Sequence, residues 1–455
     1  MFFRSKMDFM ITILRASAIL TNSDPSFIKD GFLVFNESAI LETGEWSHFH
    51  KENYPVVQVT DLGNKILFPG FIQTHIHLCQ TLFRGLADDL NLLDWLQTRI
   101  FPFENAHSPE SIKVSAELGL LELLSNGTTT LMDMGSIRHY DSVLEAAERL
   151  GIRGYFGKAL MDENPLFPGL SETKSEALSS MDDQIKSWHG RDSGRIRYAV
   201  TPRFVLSCSS DLLQESHDRV KNDPTLRYHT HSSEQESELA EVRKRFGKDN
   251  VEVFDELGLL GKETLLAHCI WLSDHEKELL KSTQTRILHC PSSNLKLGSG
   301  IASVPGLMAS GVSVSLGADG APCNNNLDPF IEMRLAALIQ KPVLGPTAMP
   351  ARTVFKMATS GGAEALGLEK ETGKLAAGFK ADFVAVDLNR IWNPIEPETE
   401  DQFYSALVYS AQRENVTDVW VNSKPVKRNG ELTIADEKEV MFRGRKELKK
   451  LLGRI

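Results

Sequence analysis

Short apolar runs that end in turn residues make up most of the chain, and the pattern around them changes twice. From residue 8 to about residue 60, β-rich runs alternate with turn residues, and no stretch has the 3.6-residue period of a helix. Between about residues 66 and 372, each apolar run is followed by a helix-compatible segment, and this unit occurs eight times. After Gly373 the β-rich pattern returns, with turn signals such as Asn429-Gly430.

Eight consecutive strand–helix units predict a closed parallel barrel. We therefore expect an α/β protein in which residues 66–372 form a (β/α)8, TIM-like catalytic barrel. The flanking segments, residues 1–65 and 373–455, are both β-rich, and pairing between them brings the two ends of the chain together without a long linker. We predict that they form one small composite β-sandwich domain.

Composition narrows the class of ligand. The chain has 455 residues, 50 Lys plus Arg against 61 Asp plus Glu, and a net charge of −11, which argues against nucleic acid as a partner. Its five cysteines are widely spaced without a CxxC pair, which indicates a reducing compartment. The N-terminal apolar run, about six residues broken by Arg15, is too short for a signal peptide or a membrane span. We expect a cytoplasmic protein with a small-molecule ligand.

Histidines stand where the apolar runs end, the position at which barrel enzymes carry their chemistry. His75 and His77 close the first run, and a spacing of two on a strand directs both imidazoles to one face, where they can bind one metal ion. The fifth run ends in HTHSSE. We assign His231 to the metal because it lies nearer the rim than His229, and Glu234, three residues on, is then placed to move protons.

Three further strand ends carry polar side chains. Asp319, between two glycines at the end of the eighth run, suits a metal ligand or a base, although a turn aspartate would read the same way. His268 and His289 end the sixth and seventh runs, and a lone histidine there is usually a buried, satisfied group. Three nitrogens and one oxygen nevertheless match a catalytic metal site that keeps a position for water, with the ligands His75, His77, His231 and Asp319.

The motifs PGFIQTHIH, HTHSSE, LLAHC, HCPSSN, LGADGAPCNNNLD and GKLAAGFKADFVAVD, in this order, resemble those of the amidohydrolase superfamily. The resemblance covers nearly the whole chain and is specific to the branch of mononuclear-metal deaminases that act on aromatic heterocycles. It implies that the four ligands hold one Zn²⁺ or Fe²⁺ ion, since Thr201-Pro202-Arg203 contains no lysine for the bridging carbamate of binuclear members. Related enzymes are often dimers or larger, so we expect a homo-oligomer.

The resemblance also implies a role for each catalytic side chain in releasing ammonia from a ring carbon. Asp319 would accept the proton of the attacking water, and Glu234 would protonate the adjacent ring nitrogen. His268 would donate a hydrogen bond to the attacking oxygen and fix its orientation.

Two motifs imply different substrates. Residues 81–90, followed by Trp95 and Glu104, resemble the S-adenosylhomocysteine and methylthioadenosine deaminases, in which the matching glutamate binds ribose hydroxyls and the matching tryptophan lines the pocket. Arg203 stands in a TPRF motif similar to that of guanine deaminases, where a guanidinium donates to a carbonyl oxygen. Gln80, three after a metal histidine, also resembles the guanine and triazine members. We expect a 6-aminopurine nucleoside such as S-adenosylhomocysteine, methylthioadenosine or 5′-deoxyadenosine, with guanine or a pterin as the alternative.

Two other functions stay open at this point. Hydrolysis of amino- or chloro-substituted s-triazines uses the same metal ligands, but chloride leaves without a proton, so a positioned Glu234 favours deamination. A degenerate barrel that serves as a scaffold is the non-enzymatic alternative, and the complete ligand set argues against it.

Overall fold

The computed structural model describes residues 11–54, 57–393 and 396–455, so the start of the predicted N-terminal run lies outside the described residues. The strands in these ranges are β1 (Ile11–Leu20), β2 (Phe27–Phe35), β3 (Ile40–Glu45), β4 (Val57–Asp61), β5 (Ile66–Pro69), β6 (Phe71–His77), β7 (Thr128–Met134), β8 (Arg153–Gly157), β9 (Ala159–Leu160), β10 (Ile196–Pro202), β11 (Arg227–Ser232), β12 (Thr264–His268), β13 (Arg286–His289), β14 (Val314–Leu316), β15 (Asp319–Gly320), β16 (Phe383–Val386), β17 (Val416–Val421), β18 (Lys424–Arg428) and β19 (Glu431–Leu432).

Helices follow the barrel strands and cover the outside of the barrel. The α-helices are α1 (Leu92–Trp95), α2 (Phe101–Asn105), α3 (Pro109–Ser125), α4 (Asp141–Leu150), α5 (Lys174–Trp188), α6 (Arg191–Gly194), α7 (Ser210–Asn222), α8 (Glu236–Phe246), α9 (Asn250–Glu256), α10 (Asp274–Thr283), α11 (Pro291–Lys296), α12 (Val304–Ser310), α13 (Ala321–Asn324), α14 (Pro329–Leu338), α15 (Lys341–Leu344), α16 (Ala351–Met357), α17 (Ser360–Leu366), α18 (Glu400–Ser405) and α19 (Glu437–Leu452). Among the described residues, no helix has both the length and the apolar character needed to cross a bilayer.

One sheet is the predicted parallel barrel. Its strands are neighbours in the order β6, β7, β8, β10, β11, β12, β13 and β14, and every pair is parallel. The eighth strand is interrupted at Gly317 and Ala318, so β14 pairs with β13 while β15 pairs with β6, where Asp319 lies opposite Ile76. These two pairings close the sheet on itself and confirm the (β/α)8 fold class.

The second sheet is built from both ends of the chain, as predicted. Its strand order is β19-β18-β17-β16-β5-β1-β2-β3, with β4 also paired to β1. The N-terminal and C-terminal strands meet where β16 pairs antiparallel with β5, with Phe383 opposite Pro69. The domain boundaries at residues 65/66 and 372/373 stay a prediction.

The first barrel run of the sequence is divided between the two sheets. Residues 65–77 read as one strand, but Ile66–Pro69 belongs to the terminal sheet and Phe71–His77 to the barrel. The chain changes sheets at Gly70, where a Cβ atom would lie 2.1 Å from the Oγ1 atom of Thr129. A side chain at this position would collide with β7, so glycine permits the close approach of the two sheets.

A buried ion pair joins the barrel to the terminal sheet. The Nε atom of Arg153, at the start of β8, donates to Asp382, just before β16, over 2.6 Å, and the two side chains are 2% and 0% exposed. The hydroxyl of Thr372 donates to the same carboxylate oxygen over 3.3 Å, and the other oxygen accepts from the backbone N–H of Asn422 over 2.6 Å. We call these four residues the joint, and in it the buried charges are paired and hydrogen-bonded.

Candidate active site

The four predicted metal ligands lie together at the carboxyl ends of β6, β11 and β15. The Nε2 atoms of His75 and His77 are each 3.3 Å from Oδ1 of Asp319, and Nε2 of His77 is 3.2 Å from Nε2 of His231. Around a tetrahedral zinc ion with bonds near 2.05 Å, neighbouring ligand atoms are separated by about 3.3 Å. The spacing of the donor atoms therefore fits one such ion, and the buried Nε2 atom of His75 has no other partner in the described part of the chain.

The second nitrogen of each of these imidazoles is already bonded, which leaves Nε2 for the metal. Nδ1 of His77 donates to the carbonyl oxygen of Met134 over 2.7 Å, and Nδ1 of His231 donates to that of Arg203 over 2.6 Å. Nδ1 of His75 is 2.8 Å from Nε2 of His229. Such outer partners fix the ring orientation and the tautomer of a metal ligand. His229 thus packs deeper, beside His75.

Burial keeps the imidazoles neutral and so able to bind a cation. It lowers the pKa of His77 to about 3, helped by the neighbouring His75, and holds the pKa of His231 well below its usual value. Burial alone would raise the pKa of Asp319, but the adjacent histidines hold it well below its usual range. At neutral pH the cluster has free nitrogen lone pairs and one carboxylate, which are the donors that Zn²⁺ prefers.

Glu234 and His268 flank the ligand cluster and face each other. Their closest atoms, Oε2 and Nε2, are 3.5 Å apart, and Nε2 of His268 is 3.8 Å from Oδ2 of Asp319. Burial raises the pKa of Glu234 to about 7, so this carboxyl can hold a proton near neutral pH. Burial opposes charge on His268, but the two carboxylates outweigh it and raise the pKa of that ring. The pair can therefore donate protons into the site.

Left-handed backbone turns direct two of these side chains into the site. His268 has a φ of 72° and Asp319 a φ of 63°, conformations that are unfavourable for residues other than glycine. In a regular strand, successive side chains alternate between the two faces of the sheet. The left-handed residues depart from this alternation at the ends of β12 and β15.

The cavity at the site encloses about 30 Å³, room for roughly one water molecule. It is lined by His77, Leu92, Trp95, Leu96, Arg203, Phe204, His231, Glu234, Glu238, His268, Leu297 and Asp319. The apolar side chains of Leu92, Trp95, Leu96 and Leu297 line this space together with the polar groups of the site.

Three of the predicted substrate-binding residues bond to one another. One guanidinium nitrogen of Arg203 donates to both carboxylate oxygens of Glu104, over 3.0 and 2.8 Å, and the amide of Gln80 donates to Oε1 of Glu104 over 2.8 Å. All three side chains are buried, and the guanidinium stacks 5.1 Å above the ring of Phe101. Arg203 lines the cavity, and Glu104 and Gln80 lie behind it. The positions of these residues along the chain do not indicate that they are in contact.

Asn294 is a site residue that sequence reasoning missed. Its Oδ1 atom is 2.8 Å from Nδ1 of His268, so it holds the ring with Nε2 toward Glu234. Asn294 lies in the HCPSSN motif, on the helix that follows the seventh barrel strand. The signal available in the sequence was the position of Asn294, a polar residue about one helical turn after the end of a barrel strand.

A parallel barrel that gathers histidines and carboxylates at its strand ends defines a class of metal-dependent hydrolases. The chain belongs to the amidohydrolase family, whose model matches residues 66–426. This membership makes it a metal-dependent hydrolase of carbon–nitrogen bonds. The predicted family is thus confirmed.

Relatives and solved structures give the closer context. A 5-methylthioadenosine/S-adenosylhomocysteine deaminase of Bacillus cereus (strain AH187) is 34% identical over 436 residues, 95% of this chain and 97% of the relative. An adenosine deaminase from Xanthomonas campestris with bound zinc superposes with a TM-score of 0.88 at 27% identity, over 97% of this chain and 98% of that one. The guanine deaminase of E. coli gives a TM-score of 0.83 at 28% identity, over 92% and 99%.

Proposed function

We propose that this protein is a metal-dependent deaminase of a purine-type ring, with a 6-aminopurine nucleoside as its substrate. The observation that carries the proposal is the pairing of Glu234 and His268 beside four convergent metal-ligand atoms. The resident ion is Zn²⁺, held by His75, His77, His231 and Asp319. When bound, it would lower the pKa of a water molecule toward about 7.

The side chains of the site supply the proton transfers that deamination needs. Asp319 accepts a proton from the attacking water, and Glu234 donates its proton to the ring nitrogen next to the reacting carbon. His268 hydrogen-bonds the oxygen and fixes its direction. Asp319 then protonates the amino group, the C–N bond breaks, and ammonia leaves. The proton of the new hydroxyl returns to Glu234, so every proton is accounted for.

The nucleoside assignment rests on the 34% identical relative named for 5-methylthioadenosine and S-adenosylhomocysteine. It also rests on Trp95, which lines the cavity, and on Glu104, which is hydrogen-bonded to the cavity residue Arg203. The carboxylate of Glu104 accepts three hydrogen bonds from Arg203 and Gln80, and Arg203 in turn lines the cavity.

Guanine or a pterin is the second candidate, because of Arg203 and Gln80. Two nitrogens of the Arg203 guanidinium make no hydrogen bond to the described residues and can donate to a ring carbonyl. Adenine offers no carbonyl oxygen, so this pair distinguishes the two candidates chemically.

Ammonia release from a small panel tests the proposal. The zinc-loaded protein is assayed with S-adenosylhomocysteine, methylthioadenosine, 5′-deoxyadenosine, adenosine, guanine, a pterin and an amino-triazine, before and after treatment with a chelator. We expect activity on the 6-aminopurine nucleosides that the chelator abolishes and Zn²⁺ restores. Activity on guanine or the pterin alone would replace the leading substrate, and activity that survives metal removal would overturn the mechanism.

The oligomeric state is a separate part of the proposal. We expect a homo-oligomer, which sedimentation of the purified protein at micromolar concentration would reveal. A single monomeric species would contradict it.

A further inference from the structure

Asp319 is the candidate ligand with the most strained backbone, and its conformation needs support from outside its own strand. Its φ of 63° costs roughly 1–2 kcal/mol for a residue with a side chain. The preceding peptide sets this angle, because rotation about the N–Cα bond of Asp319 turns the plane that holds the carbonyl of Ala318. A group that fixes this carbonyl therefore restrains φ, and with it the direction in which the Cα–Cβ bond of Asp319 leaves the backbone.

Asn324 is that group. Its Nδ2 atom donates to the carbonyl oxygen of Ala318 over 2.7 Å. The second hydrogen of the same amide goes to Oε1 of Glu332, over 2.8 Å. Both donors of the amide are used, so its orientation is determined by these two acceptors.

Glu332 in turn joins two neighbouring strand ends. It lies in the first turn of α14 and is 1% exposed. Its Oε2 atom accepts from the backbone N–H of Ser292 over 3.2 Å, and the hydroxyl of Ser292 also donates to the carboxylate. Ser292 follows the seventh barrel strand, whereas Asn324 follows the eighth. One buried carboxylate thus ties both loops at the edge of the site.

We propose that Glu332, acting through Asn324, is a positioning residue that holds Asp319 in its metal-binding conformation. The chain of contacts is Glu332 to Asn324 to the Ala318 carbonyl to Asp319, and within the described residues no hydrogen bond joins Glu332 or Asn324 to the other ligands. Outer partners of this kind typically contribute 10- to 100-fold to metal affinity. The inference rests on the proposed function, because it takes Asp319 to be a ligand.

The test uses Glu332→Gln, whose amide would place a donor where three donors now converge. Glu276→Gln is the matched control. Glu276 is a fully buried carboxylate on α10 that accepts from the backbone of Ser273 and Val251, away from the metal ligands. Zinc affinity is measured by competition with a chromophoric chelator, and the absorption spectrum of the Co²⁺-substituted protein reports on ligand geometry.

We expect Glu332→Gln to bind zinc 10- to 100-fold more weakly and to change the Co²⁺ spectrum, whereas Glu276→Gln lowers the Tm but alters neither. Should Glu332→Gln not fold, Asn324→Ser removes the same tether from the loop and is expected to give the same two changes. Unchanged zinc affinity and an unchanged Co²⁺ spectrum in a folded variant would show that Glu332 is structural only, and would overturn the inference. A parent protein without zinc affinity would instead refute the proposed function itself.

Discussion

The mouth of the barrel and the joint to the terminal sheet both contain buried ionisable groups. Some of these groups lack a hydrogen-bond partner at the mouth, whereas those at the joint are paired. We use mouth for His75, His77, His231, Glu234, His268 and Asp319. At the mouth, Nε2 of His75 and Nε2 of His268 are buried without a hydrogen-bond partner among the described residues. At the joint, both oxygens of Asp382 accept hydrogen bonds, and Arg153 compensates its charge.

This difference distinguishes ionisable groups that bind ligands or transfer protons from ionisable groups that stabilise the fold. An unpartnered buried polar atom costs about 1–3 kcal/mol of stability, so it persists where a ligand will use it. A paired buried charge stabilises a particular arrangement of two parts, and removing one partner leaves the other uncompensated. Substitutions at the mouth should therefore affect turnover, and substitutions at the joint should affect folding.

The largest effect is expected for Glu234→Gln. Amide replaces the proton donor at nearly constant shape, so kcat for ammonia release should fall by about 10²- to 10⁴-fold. The Tm should not fall, because the variant no longer buries an ionisable carboxyl. Glu236→Gln, two residues on and exposed, is the control and should keep full activity. Equal turnover in Glu234→Gln and the parent would remove Glu234 from the mechanism.

The joint is tested by Arg153→Met. Loss of the guanidinium leaves Asp382 buried and unpaired, and the free energy of unfolding should fall by about 3–5 kcal/mol, as measured by urea denaturation. The kcat/KM of the folded fraction should not change. The double variant Arg153→Met/Asp382→Leu should be more stable than the single variant, because no charge is left buried. A large loss of kcat/KM without loss of stability would contradict the view that the joint contributes to folding and not to turnover.

The variant Arg203→His tests whether the Arg203–Glu104 ion pair contributes to substrate binding or to stability. Either role is compatible with the structure, because the pair is buried and Arg203 also lines the cavity. A hydrogen bond to a charged group contributes about 1.5–3 kcal/mol. If Arg203 donates to the carbonyl of guanine, the variant should therefore raise the ratio of kcat/KM for adenosine-type substrates to kcat/KM for guanine by about 10- to 150-fold. An unchanged ratio together with a lower Tm would show that the Arg203–Glu104 pair stabilises the fold, as the joint does, and does not bind the substrate.

The smallest expected effect concerns pH. Asp133, in β7, accepts from the backbone N–H of Leu78 and the hydroxyl of Tyr140, and burial raises its pKa to about 7. The folded state holds this proton more tightly than the unfolded state, so the stabilisation is complete below about pH 4 and is lost as the pH rises through 7.

Between pH 6 and pH 8 this loss amounts to about 1.4 kcal/mol. Asp133→Asn keeps an acceptor for the backbone N–H and cannot ionise, so its urea-unfolding free energy should vary less over this range than that of the parent. Parallel pH profiles for Asp133→Asn and the parent would contradict the assignment.

Local sequence patterns were sufficient to predict most of the fold and to select the candidate metal ligands. Eight strand–helix units predicted the barrel, and the spacing of His75 and His77 on one strand predicted a shared face. The split at Gly70 escaped this reasoning, because the residues on both sides of it are equally apolar. Only the proximity of Thr129 on the neighbouring strand shows why the chain changes sheets there.

By itself, then, the sequence determined the barrel, the family and the candidate metal ligands, since alternation along a strand and the position of strand ends are local properties. The tertiary structure decided which groups meet: Glu104 and Arg203 are 99 positions apart, and Asn294 reaches His268 from the next barrel unit. Such contacts depend on how the strands are staggered around the barrel and on left-handed residues such as Asp319, which turn a side chain away from the face that alternation predicts.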